Sequence, residues 1–103
     1  MFGLFTKVQS ITPAQLRPKM RDHHNLVLDV REPAEYRAGH IANAKNVPLR
    51  RIASFTPPAN TKLFVICRSG SRSKQAYKIL HKAGADVTNV SGGMLAWQQE
   101  VRA

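Results

Sequence analysis

The stretch Lys62-Leu-Phe-Val-Ile-Cys-Arg-Ser-Gly-Ser-Arg-Ser-Lys-Gln-Ala-Tyr-Lys-Ile-Leu-His-Lys-Ala-Gly-Ala-Asp-Val-Thr-Asn-Val90 decides the fold. Lys62 to Ile66 is a short apolar run of the length and composition of a buried strand. From Ser73 to Ala83 the residues Ala76, Ile79, Leu80 and Ala83 recur at helical spacing, with Lys74, Lys78 and Lys82 on other faces. Gly84 supplies the helix stop, and Asp86 to Val90 reads as a second strand. Strand, helix and strand within 29 residues make a βαβ unit, which implies a parallel sheet with a right-handed crossover. The fold class is α/β.

Outward from this unit, Asn25 to Val30 fits another buried strand and Ala44 to Val47 a shorter one, stopped by Pro48. Thr12-Pro13 starts a helix, with Thr12 as N-cap and Pro13 at the first helical position. A short helix is expected over Glu32 to Ala38, closed by Gly39, and a helical turn over Arg50 to Phe55. After the Gly92-Gly93 turn a last helix carries Leu95, Trp97 and Val101. Ligands of open α/β sheets bind outside the carboxyl ends of the strands. Three loops leave strands there: Asp29-Val30-Arg31, Cys67 to Arg72, and Ser91-Gly92-Gly93. Parallel strands would put them on one rim, so one site is expected.

At 103 residues the chain has the size of one domain. One cysteine excludes an intramolecular disulfide, and the four histidines lack the spacing of a zinc site; no metal or cofactor is expected. Met1 to Phe5 is apolar for five residues, shorter than a signal peptide's apolar region of about 7–15. A cytoplasmic protein without a membrane span is expected, its terminus frayed, docked or in weak interfacial contact through Phe2, Leu4 and Phe5. The net charge of +10 favours anions in general. Its basic residues are scattered and its aromatics number seven, so no specific nucleic-acid partner is expected.

Cys67 carries the chemistry. It ends a strand and opens a loop containing Arg68, Ser69, Gly70, Ser71 and Arg72, ahead of a helix start near Ser73. Gly70 lets the loop curl so that successive N–H groups form an anion nest, and the helix adds its positive end. Together with the two guanidinium groups these favour a thiolate. A preformed thiolate attacks sulfur without a general base, which suits a loop lacking histidine. The plain alternative, a buried structural cysteine, fits its position ahead of two arginines and a glycine less well.

Asp29-Val-Arg-Glu-Pro-Ala-Glu-Tyr-Arg-Ala-Gly-His-Ile41, continued by Asn46-Val-Pro-Leu49, resembles the first signature of the rhodanese family. Cys67-Arg-Ser-Gly-Ser-Arg-Ser73 is similar to the active-site loop of single-domain rhodaneses, and Gly92-Gly93 with Trp97 to their C-terminal pattern. The resemblance spans residues 11–97. It implies a five-stranded, mainly parallel sheet flanked by helices on both faces. It also implies transfer of sulfane sulfur from thiosulfate or a related small anionic donor, through a Cys67 persulfide, to cyanide, a thiol or a protein. The loop from Arg68 to Arg72 would cradle the sulfur. The resemblance makes Asp29 and Arg31 a structural ion pair or a loop brace rather than catalysts, and His40 is expected to be a hydrogen-bonded packing residue supporting the site rather than a proton shuttle. Two positions depart from the pattern: Asn43 stands where glycine is usual, and Met94 where an aromatic is common. Cysteine phosphatases and arsenate reductases resemble C-x5-R, with arginine six positions after the cysteine. Here Arg72 lies five after Cys67, which suits one sulfur atom better than a tetrahedral phosphoryl group. Two further readings of the site are a protein-to-protein persulfide relay with little small-molecule turnover and a non-catalytic anion-binding module.

Overall fold

The computed structural model describes residues 7–102, so the expectation for Phe2, Leu4 and Phe5 lies outside the described residues. Five strands form one parallel sheet: β1 (Ser10–Ile11), β2 (Asn25–Asp29), β3 (Lys45–Asn46), β4 (Lys62–Ile66) and β5 (Val87–Val90), in the order β1-β5-β4-β2-β3. Side chains alternate across a strand, and β4 has apolar residues on both sides. Leu63, Val65 and Cys67 enter one core with Ile52, Tyr77 and Leu80. Phe64 and Ile66 enter the other, with Leu16, Ile41, Val90 and Met94. Helix α3 (Ser71–Lys82) and a 3-10 helix (Leu49–Ser54) cover the first face. Helices α1 (Pro13–Lys19) and α4 (Gly93–Arg102) cover the second, joined there by Tyr36 of α2 (Pro33–Arg37) and by Trp97.

The register explains the shared rim. Asp29 pairs with Ile66 and Asn89 with Val65, so β2, β4 and β5 end together. Val30 N–H donates to Ile66 O at 2.9 Å, which locks the β2 exit beside Cys67. Thr12 caps α1 as expected, its side chain accepting from Gln15 N–H while Gln15 returns the bond. Asn43 adopts φ 67°, the left-handed conformation that asparagine tolerates where glycine is usual.

Three local differences have physical causes. Strand β1 is two residues on the sheet edge, paired with β5 from Ser10 to Asn89, and two residues carry no periodicity to read. Helix α3 starts at Ser71, with Gly70 as N-cap at φ 121°, so the turn after Cys67 is tighter than a start at Ser73 implies. The buried stripe of α3 is Ser73, Ala76, Tyr77 and Leu80, whereas Ile79 is 38% exposed. Tyr77 thus fills the place expected of Ile79. No helix among the described residues is long and apolar enough to cross a membrane.

Candidate active site

Cys67 continues the alternation of β4 and is 1% exposed, its side chain on the α3 face. The chain then reverses through Gly70 into α3. Two backbone donors converge on Cys67 Sγ: Gly70 N–H at 3.1 Å and Ser73 N–H at 3.3 Å. The thiol donates to Ser73 Oγ at 3.4 Å, and the Ser73 hydroxyl donates to Gly70 O at 3.1 Å. On ionisation Ser73 can turn its proton from the carbonyl to sulfur, so the same hydroxyl serves both protonation states.

The carbonyls of the loop need partners of their own, and α4 provides them. Met94 N–H donates to Cys67 O at 2.8 Å and Leu95 N–H to Arg68 O at 3.1 Å. An N-terminal turn with unpaired N–H groups therefore binds the outer side of the loop while α3 faces its inner side. Gly93 makes this approach possible. At φ +58°, a Cβ there would sit 2.5 Å from Arg68 O and closer still to Cys67 O.

Burial pushes the Cys67 thiol up, but the Ser73 hydroxyl and the N–H groups of Ser73, Gly70 and Ser69 together outweigh it and hold the thiol below its ordinary value. Reactivity toward iodoacetamide should therefore persist as pH falls below the ordinary thiol range, and be lost as pH passes through the lowered value. Ser73→Ala removes the largest of these favourable contributions. We expect its alkylation at pH 6 to be roughly tenfold or more slower than wild type, as the loss of one hydrogen bond to a charged atom implies. Equal rates across the pH profile would contradict this account of the thiol.

The guanidinium groups are disposed differently from expectation. Arg72 is not free to face an anion: its Nη1 and Nη2 donate to the two carboxylate oxygens of Glu35 at 2.6 and 2.9 Å. This bond holds Glu35 down to about 2, against a burial penalty in the opposite direction. Arg68 is exposed and makes no ion pair among the described residues. Asp29 and Arg31 form a buried ion pair. Arg31 Nε and Nη2 reach the fully buried Asp29 carboxylate at 2.9 and 2.6 Å, and Nη2 also donates to Gly39 O.

The family model of the rhodanese-like domain matches residues 12–100. The chain belongs to the rhodanese-like family. It is similar to slr1261 of Synechocystis, at 37% identity over 93 residues, covering 87% of this chain and 52% of that protein. The chain thus spans about half the length of that relative. It is also similar to thiosulfate sulfurtransferase GlpE of Pseudomonas aeruginosa, at 30% identity over 87% of this chain and 84% of GlpE. A solved rhodanese-related protein from Thermoplasma volcanium has the same fold, with a TM-score of 0.83 and 35% identity over 89% of this chain and 92% of that one.

Within the candidate site the structure brings Cys67, Gly70 and Ser73 together, while the Asp29–Arg31 pair is tied to the Gly39 carbonyl. Ser69 is exposed on the loop and Ser71 is exposed at the first position of α3. His40 is exposed, its ring stacked on Tyr36 with centroids 3.7 Å apart and bonded to Tyr36 O, and no bond ties it to Cys67 or its loop among the described residues. Four contributors were not singled out from sequence. In sequence Ser73 ends the loop motif as a helix start and Gly93 belongs to a rim turn, with no bond to Cys67 legible for either. Glu35 binds Arg72 from 37 residues away, and Asn46 Nδ2 donates to Asp29 O and Arg31 O, both at 2.9 Å. Their placement is tertiary; only the opposite charge of Glu35 could have hinted at it. A groove of about 610 Å³ lined by Ile52, Phe55, Pro57, Ile79 and Ala85 also includes Lys62, which begins β4, so it opens at the other end of the sheet. Asp22, His23 and His24 bring ligand atoms within 4.8 Å of one another on an exposed turn, where His24 Nδ1 already meets the Asp22 carboxylate.

Proposed function

We propose that this protein is a sulfurtransferase in which Cys67 carries sulfane sulfur as a persulfide. The observation that supports this most is the convergence of backbone N–H groups on Sγ at the end of β4. In the first half-reaction the Cys67 thiolate attacks the outer sulfur of a donor. A Cys67 S–S bond forms, the donor's S–S bond breaks, and its electron pair leaves with sulfite when the donor is thiosulfate. In the second, a thiophilic acceptor such as cyanide or a thiol attacks the outer sulfur and returns Cys67 as thiolate. The cradle is fixed before reaction, so its N–H groups stabilise each sulfur anion without reorganising. No general base is required, in keeping with the carboxylates of Asp29 and Glu35 both being held in arginine pairs.

Phosphatase chemistry fits less well. It calls for an arginine that wraps the phosphoryl oxygens, and Arg72 is one residue too near in sequence and is held by Glu35. The reading is tested by thiocyanate formation from thiosulfate and cyanide. Turnover saturating in thiosulfate is expected; absence of thiocyanate, with no transfer from a low-mass persulfide either, would overturn it.

A further inference from the structure

We propose that Glu35 sets the donor preference of this site, holding Arg72 out of the sulfur cradle and so favouring persulfide donors over the thiosulfate dianion. The inference rests on the sulfurtransferase reading and concerns which donor that same site prefers.

Arg72 sits in the first turn of α3, next to the residue whose N–H binds Sγ. Its guanidinium is nevertheless bound by both ends to Glu35, and Glu35 is itself anchored, its Oε1 accepting Glu32 N–H at 3.0 Å in the capping box of α2. The carboxylate is thus a fixed post to which the loop arginine is tied. Each side chain of the pair is 32% exposed, so the tie lies at the solvent edge, where it can open. Asp29 and Arg31 cancel each other nearby. The cradle therefore presents backbone N–H groups, with the Arg72 guanidinium neutralised and Arg68 exposed on the loop.

That charge balance separates two donor classes. With thiosulfate, the thiolate and a dianion become a persulfide anion and sulfite, which keeps three negative charges at the cradle throughout. With a low-mass persulfide, the thiolate attacks the terminal sulfur, the proton stays on the transferred sulfur, and one singly charged thiolate departs. The first donor needs a second cation at the cradle and must draw Arg72 from Glu35; the second does not.

Glu35→Gln separates the tie from the cap, because the amide oxygen still accepts Glu32 N–H while the charge that binds Arg72 is gone. The ratio of kcat/KM for thiosulfate to that for glutathione persulfide should rise by about tenfold, the size of one released charge-assisted bond. Sulfite should protect Cys67 from iodoacetamide at a several-fold lower concentration in this variant, and the double variant Glu35→Gln/Arg72→Gln should lose the gain. A purely structural Glu35 would lower both donors alike and leave the ratio unmoved, which would overturn the proposal. So would a gain that survives removal of Arg72. If the wild-type protein takes sulfur from neither donor, the functional reading fails, and the sulfite series still decides whether Glu35 restrains Arg72.

Discussion

Cys67→Ser is expected to lower sulfur transfer by roughly three orders of magnitude or more, as removal of a nucleophile does where the rest of a site cannot act alone. A serine hydroxyl at this position would receive the same N–H donors from Gly70 and Ser73, yet it does not ionise near neutral pH. Its oxygen is also a poor leaving group for the second half-reaction. The fold should survive, because a small polar atom in place of Sγ finds donors already aimed at it, and the stability change should stay within about 1 kcal/mol. Thiocyanate assays paired with thermal unfolding separate the two effects. Retained turnover in the folded variant would remove Cys67 from the mechanism.

Gly93→Ala is expected to damage stability and chemistry together. The added Cβ would overlap the backbone of Cys67 and Arg68, neither of which can rotate aside, and φ +58° is itself unfavourable for a side chain. Overpacking and backbone strain together cost about 2–4 kcal/mol. In a domain of this size that corresponds to a fall in Tm of roughly 10 °C or more. To relieve the overlap, α4 must withdraw and release the carbonyls that Met94 and Leu95 hold. The loop then loses the restraint that keeps its N–H groups on Sγ, and alkylation of Cys67 at pH 6 should slow in the fraction that remains folded. Gly84→Ala is the control. Gly84 also has positive φ, at 91°, but nothing lies within 4 Å of its Cβ position, so it should cost about 1–2 kcal/mol and leave Cys67 reactivity unchanged.

What could be read from sequence follows the range of the interactions concerned. The β4–α3–β5 unit was legible because its signals are local: an apolar run, a helical stripe, a glycine stop, a second run. Cys67 was legible because a thiol at a strand end followed by a glycine turn is itself a local arrangement. The failures are tertiary. Tyr77 and Ile79 flank the Ala76–Leu80 stripe of α3 on opposite sides, and docking on the sheet, rather than periodicity, chose Tyr77. Arg72 looked free because its partner belongs to another helix. Gly93 announced a turn, but its closeness to the Cys67 and Arg68 carbonyls exists only once α4 is packed. The thiol was expected to be activated by arginine charge together with N–H groups. In the structure the leading favourable contributions come from Ser73 and the backbone, with one of the two arginines tied to Glu35.

The most direct test of Cys67 as a sulfur carrier is the intact mass of the protein after incubation with thiosulfate or glutathione persulfide and removal of the donor. A gain of one sulfur atom is expected, mapped to Cys67 and removed by cyanide or dithiothreitol. An unchanged mass with both donors, while Cys67 remains open to alkylation, would contradict it.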